Sequence, residues 1–259
     1  MRLATVDLDG TLRVARIAAD RVELAIESTS MKALAAGGAD ALRGLTFEAS
    51  GERTRWGPAI PDPGAIYTIG ANYRPPNEPE AAQPDRPRVL AKLPSSVAGH
   101  GWSVAWDRSL TANVDAECEL GVVIGAAGTA FGYTIVNDLN SVDPWLDGDQ
   151  WLLGKSMAGF CPVGPWIVTA DELDPADLRL GCTINGAPIQ DGRTSDMRFS
   201  IAEVISYISR HVELRPGDLI ATGTPARLGA PPGPGRHLES GDTVTCWIEG
   251  IGELTTFIP

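Results

Sequence analysis

Glu117 and Glu119 stand two residues apart in Val114-Asp115-Ala116-Glu117-Cys118-Glu119-Leu120-Gly121-Val122-Val123-Ile124. In an extended strand that spacing turns both carboxylates to one face and Cys118 to the other. Two carboxylates side by side repel unless positive charge sits between them. A third acid, Asp138, closes the next apolar stretch, Gly132-Tyr133-Thr134-Ile135-Val136-Asn137-Asp138, and reaches the same place if the two strands are neighbours. Three carboxylates without His or Cys suit a hard, oxygen-seeking cation, Mg²⁺ or Mn²⁺. Glu-x-Glu alone also fits a solvated strand face, but the apolar residues 120–124 that follow argue for an interior position.

Two more segments could carry chemistry. In Gln150-Trp151-Leu152-Leu153-Gly154-Lys155-Ser156, a lysine beside glycine in apolar surroundings can meet a substrate carboxylate or a developing oxyanion. The turn Thr222-Gly223-Thr224-Pro225 offers hydroxyls and backbone N–H groups to an anion. Taken singly, each also fits a surface lysine and an ordinary turn.

These residues sit in a chain of 259 residues with 21 Lys+Arg against 33 Asp+Glu, a formal charge of -12. That field repels phosphate backbones and anionic lipid, which argues against nucleic-acid or membrane-surface partners. The four cysteines, Cys118, Cys161, Cys182 and Cys246, form no Cys-x-x-Cys pair and read as reduced, buried thiols of a cytoplasmic protein. Asp7 and Asp9 near the start, with no apolar stretch, do not read as a signal peptide. The longest uncharged run, 120–137, is punctuated by glycines and reads as strand, turn, strand rather than a membrane helix.

The elements that must position the acids are mostly strands. Residues 1–57 read as a small N-terminal unit, with β-type stretches at 2–6 and 21–26 and a helix over 31–45. Residues 56–64, with three prolines, read as a linker to a catalytic domain at 58–259. Strands are expected at 65–69, 114–124, 131–137, 161–168, 180–184, 218–221 and 243–248. One helix is well signalled: Ser200 precedes Glu203 by three, and Ile201, Val204, Ile205 and Ile208 make an apolar stripe ending near Pro216-Gly217. The expected fold class is therefore β-rich α+β, not a doubly wound sheet.

The segment Val6-Asp7-Leu8-Asp9-Gly10-Thr11-Leu12 is similar to the opening motif of haloacid-dehalogenase-like phosphatases. That chemistry also needs regular α/β alternation, which is missing, and an Asp-Gly hairpin turn is the preferred reading.

From residue 66 to residue 254 the chain resembles the fumarylacetoacetate hydrolase superfamily. The resemblance rests on Gly70-x-Asn72-Tyr73, Asp115-x-Glu117-x-Glu119-Leu120, Gly132-Tyr133-Thr134 with Asn137-Asp138, and Gln150-Trp151-x-x-Gly154-Lys155-Ser156. It continues through Cys161-Pro162-x-Gly164-Pro165-Trp166, Asn185-Gly186, Thr222-Gly223-Thr224-Pro225 and Ile248-Glu249-Gly250-Ile251-Gly252. It implies a β-clip-like mixed β roll behind a small N-terminal α/β domain, in a homodimer. It also implies Mg²⁺ or Mn²⁺ on Glu117, Glu119 and Asp138, with Lys155 beside the metal. The implied substrate is a small anionic 2-oxo or β-diketo acid, contacted by Tyr73, Arg74, Lys92, Gln150, Thr222, Gly223 and Thr224. A 2-oxo carboxylate chelating the cation would have its enolate stabilised as the neighbouring bond breaks.

The hydrolases of that family activate water with a His and a Glu, three and six residues after the Tyr. Counting from Tyr73 gives Pro76 and Pro79, neither of which can act as a base. Glu78 and Glu80 flank the second position and are the candidate substitutes, Glu78 being the one assigned, and His100 is the histidine expected near the site. His211 and His237 read as structural or solvated. The connection 125–130 is shorter than the family's. A kept metal platform without the dyad favours decarboxylation, isomerisation or another enolate reaction over hydrolysis. The rival readings are a non-catalytic metal-binding descendant and a phosphatase using Asp7.

Overall fold

The computed structural model describes residues 1–19, 21–50, 55–75, 84–143, 149–228 and 236–259. The N-terminal part forms β1 (Arg2–Leu8), β2 (Thr11–Ala18), β3 (Arg21–Ala25), α1 (Met31–Arg43), β4 (Phe47–Ala49) and β5 (Arg55–Trp56). Then come β6 (Ile66–Gly70), β7 (Arg88–Lys92) and the short β8 (Val97–Ala98), β9 (Trp102–Ser103) and β10 (Val114–Asp115). β11 (Cys118–Ile124), β12 (Ala130–Asn137) and β13 (Asn140–Ser141) lead to α2 (Trp151–Lys155). The chain ends with β14 (Cys161–Thr169), β15 (Arg179–Ile184), β16 (Ala187–Arg193), α3 (Ile201–Ser209), β17 (Leu219–Ala221), β18 (Thr243–Ile248) and β19 (Gly252–Phe257).

Among the described residues, one mixed sheet runs β4-β3-β2-β1-β14-β12-β11-β17-β6-β7, and a second runs β16-β15-β18-β19-β9. β11 lies inside the first. Leu120, Val122 and Ile124 on one face join the core that faces the second sheet, with Leu180, Cys182 and Cys246. Val123 on the other face joins a core with Leu3, Met31, Leu34 and Val136. This is the alternation a strand buried on both sides requires.

Two expected bounds are corrected, those of the strand at 114–124 and of the helix that follows Ser200. The N-terminal strands join the main sheet: Arg2 pairs with Val168 and Leu3 with Ile167, so β1 extends it through β14. The expected strand at 114–124 is interrupted at Ala116 and Glu117, between β10 and β11. α3 stops at Ser209, well before Pro216, although its capping box at Ser200 and Glu203 forms as expected. Asp9 and Gly10 take φ of 52° and 87° in a two-residue loop between Leu8 and Thr11, and Asp7 Oδ1 accepts from Gly10 N–H at 2.7 Å. That is the geometry of a hairpin turn.

Candidate metal centre

β11 and β12 deliver the acids. Glu119 is paired with Val136 across the ladder and Cys118 with Asn137. Just past both strand ends, Asp138 N–H donates to the Glu117 carbonyl at 2.9 Å, which places Glu117 and Asp138 side by side. One carboxylate oxygen from each of Glu117, Glu119 and Asp138 lies within 4.8 Å of the others. Cys118 turns away, its thiol toward the Trp247 carbonyl. The same-face spacing of the two glutamates thus survives the break in the strand.

Two lysines and one amide hold the cluster. Lys155, at the end of α2, donates from Nζ to Asp138 Oδ2 at 2.7 Å and lies 3.5 Å from Glu117 Oε2. Lys92, at the end of β7, donates to Asp138 Oδ1 and, at 2.9 Å, to the Leu139 carbonyl. Gly223 N–H donates to Glu119 Oε2 at 2.7 Å. Glu119, Asp138, Lys92 and Lys155 are all buried, whereas a quarter of the Glu117 side chain remains exposed.

Burial, followed by the charges of Asp138 and Glu117, pushes the Glu119 carboxyl well above its usual range. Burial also raises Glu117, against the pull of Lys155. At Asp138 burial works in the same direction, but the charges of Lys155 and Lys92 and their hydrogen bonds outweigh it and hold the carboxyl low. Lys155 is the mirror case: burial favours the neutral amine, yet Asp138 and Glu117 raise it and keep the ammonium. Three convergent carboxylates, two of them reluctant to ionise without a counter-charge, fit a hard divalent cation.

The three acids line a cavity of about 580 Å³, within the range of small-molecule sites. Lys155, Tyr73 and Thr224 line it as well. Tyr73 is buried, its hydroxyl approaching Thr222 without a well-formed hydrogen bond, and burial raises the phenol well above its usual value. Thr224 Oγ1 donates to the Cys118 carbonyl at 2.8 Å and accepts from Gln190 Nε2 at 2.7 Å, bracing the turn against β11 and β16.

Other expected contacts serve differently. Lys92 is committed to Asp138, Thr222 Oγ1 donates to the Leu120 carbonyl, and Gly223 supports Glu119; none of the three lines the cavity. Arg74 and Gln150 are exposed and lie outside its wall. His100 belongs to a separate depression with Trp56 and Trp102, where its Nδ1 accepts from Thr255 N–H at 3.2 Å. The parallel pairing of β9 with β19 carries that loop to the second sheet. Glu78 lies outside the described residues.

Sequence reasoning missed Arg88, Arg198 and Arg227, which supply the remaining positive charge of the cavity wall. The signal available for Arg227 was a lone cation two residues beyond the Thr-Gly-Thr-Pro turn, inside a Pro/Gly-rich stretch.

The family described as fumarylacetoacetate (FAA) hydrolase C-terminal matches residues 65–258. A fumarylacetoacetate hydrolase from psychrophilic Exiguobacterium antarcticum is similar over 100% of this chain and 99% of its own, with 30% identity and a TM-score of 0.88. A 5-carboxymethyl-2-hydroxymuconate delta-isomerase from Mycobacterium smegmatis is similar over 100% and 99%, with 29% identity and a TM-score of 0.81. A maleylpyruvate hydrolase from Sphingobium sp. SYK-6, in complex with manganese (II) ion and pyruvate, is similar over 100% and 98%, with 26% identity and a TM-score of 0.78.

Proposed function

The chain belongs to the fumarylacetoacetate hydrolase family, and from that premise we propose that it is a divalent-metal-dependent enzyme acting on a 2-oxo or β-diketo acid. The observation that carries the reading is the convergence of Glu117, Glu119 and Asp138 in the wall of a cavity that also holds Lys155 and three arginines. The manganese and pyruvate in the maleylpyruvate hydrolase structure support both the cation and the substrate class.

Glu117, Glu119 and Asp138 would hold the cation, Mg²⁺ or Mn²⁺. Bound there, it supplies Lewis-acid charge to the oxygens of a chelating 2-oxo carboxylate. Lys155 contributes a fixed ammonium beside that point. Its Nζ hydrogen bond to Asp138 fixes that charge in the cavity wall, where it would stabilise developing negative charge. Lys92 offsets the second oxygen of Asp138, and Gly223 fixes the orientation of Glu119.

No histidine lines the cavity among the described residues. That supports an enolate-forming reaction, decarboxylation or isomerisation, ahead of hydrolysis, which would require a residue to activate water. Assays on oxaloacetate and on acylpyruvates, with and without EDTA, test the proposal. Activity should be lost with EDTA and in Glu119→Ala but kept in Asp7→Asn. Activity indifferent to EDTA and to Glu119→Ala would contradict it.

A further inference from the structure

A second cleft, of about 630 Å³, opens between the start of β12 and the first turn of α3. That size is within the range of small-molecule sites. The apolar stripe of α3 supplies one wall. Val204 and Ile208 are buried in the core, whereas Ile201 and Ile205, one turn apart, are only partly buried and line the cleft with Ala130, Pro175 and Met197. Tyr133 of β12 lines it as well and is 7% exposed. Its hydroxyl has no hydrogen-bond partner among the described residues and, unlike the Tyr73 hydroxyl, is not sealed from the cleft. Burial, then the charge of Asp174, raises the phenol, so it stays a donor.

The other polar side chains of the wall are committed. Thr194 Oγ1 accepts from Leu178 N–H at 2.8 Å, and Ser195 Oγ donates to Asp177 Oδ1 at 2.6 Å. Glu203 Oε2 accepts from Ser200 N–H at 2.8 Å and from Ser200 Oγ at 2.7 Å, closing the capping box. Arg198 donates from Nε to the Ala71 carbonyl at 2.9 Å and lines the acid-cluster cavity too. We propose that the cleft is a second binding site, for a small uncharged molecule with an apolar body and one hydrogen-bond acceptor, which the Tyr133 hydroxyl meets. An anion would approach the carboxylates of Glu203 and Asp174. A cation would give up its hydration to an apolar wall in which Glu203 is already bonded. One layer of chain divides this site from the acid cluster. Met197 forms an antiparallel bridge with Tyr73, which lines the other cavity, and Arg198 N–H donates to the Asn72 carbonyl at 2.6 Å. The two sites share a wall, yet the assignment does not depend on a cation in the first.

Titration of the metal-free full chain, followed by amide shifts in nuclear magnetic resonance, tests the assignment with four probes that share a phenyl body. Acetophenone carries a carbonyl acceptor, ethylbenzene none, benzoate a negative charge and benzylammonium a positive one. Acetophenone should shift the amides of Met197, Ile201 and Ala202 saturably and bind at least about 10-fold more tightly than either charged probe. Tyr133→Phe should weaken acetophenone about 3- to 10-fold, the worth of one neutral hydrogen bond, and leave ethylbenzene unchanged. Ala202→Trp, a change at an exposed helix position, should abolish the acetophenone shifts. The absence of saturable shifts in the wild type, which needs no variant to fold, would overturn the proposal. A charged probe binding as tightly as acetophenone, or Tyr133→Phe leaving acetophenone unchanged, would do the same. Shifts of those amides with protein concentration alone would overturn it too, by showing that a second copy of the chain covers the cleft.

Discussion

Glu119 is where proton and metal compete. Its carboxyl is buried, stands beside two other acids and accepts a hydrogen bond from Gly223. The first two influences dominate, so it holds its proton to higher pH than a solvated glutamate does. A cation binding there must displace that proton, and affinity falls as pH drops through the raised value. Mn²⁺ affinity should therefore rise with pH until Glu119 is ionised, and the heat of binding should vary with the buffer's ionisation enthalpy as the released proton is taken up. An affinity independent of pH would contradict this account of Glu119. The spacing of Glu117 and Glu119 could be read from the sequence because extended chain has a period of two, and the interruption at Ala116 and Glu117 leaves both carboxylates at the same point. The part played by Lys92 could not be read. Its partner, Asp138, is 46 residues away, and only the arrangement of β7 and β12 within the sheet brings the two together.

At the scale of elements, the site depends on where strands end. β11 stands between β12 and β17, so the glutamates at the start of β11 and the aspartate just past β12 meet the turn that leaves β17. Gly223 in that turn has φ of 99°, and a Cβ added there would stand 2.8 Å from Asn72 Cβ and 2.9 Å from the Ile69 carbonyl. Gly223→Ala cannot be accommodated without moving the N–H that orients Glu119. It should lower metal affinity by about 10- to 100-fold, the usual cost of losing a group that orients a ligand. Calorimetry alongside circular dichroism separates that loss from unfolding, and unchanged affinity in a folded variant would contradict the role given to the turn. Strands 131–137, 161–168, 180–184 and 243–248 were legible from apolar runs bounded by turn residues, and each lies within the observed β12, β14, β15 and β18. β16 and β19 were not, because Ala187–Arg193 and Gly252–Phe257 alternate weakly and owe their state to neighbours. The arginines of the cavity wall escaped notice for a similar reason: they arrive from three segments far apart in the chain.

Across the whole molecule, the N-terminal residues share a core and a sheet with the part that carries the acid cluster. Leu3, Val14, Met31 and Leu34 share a buried core with Val123, Val136, Ile167 and Leu219, and β1 lies against β14. Each such side chain contributes about 1.5–3 kcal/mol on full burial, so exposing the interface removes stability comparable to that of an entire domain. A fragment of residues 58–259 should aggregate or lose its near-ultraviolet dichroism, as size-exclusion chromatography and circular dichroism can determine. A folded, soluble fragment would contradict this expectation and support residues 58–259 as an independent domain. No helix among the described residues is long and apolar enough to cross a membrane. The proposed chemistry turns on a single point in this framework, the one shared by Glu117, Glu119 and Asp138. Anomalous diffraction from crystals grown with Mn²⁺ locates the ion directly. One strong peak is expected, bounded by those three carboxylates, with Lys155 beside it. A crystal in which Mn²⁺ binds elsewhere while the three acids remain joined only to Lys155, Lys92 and Gly223 would contradict it.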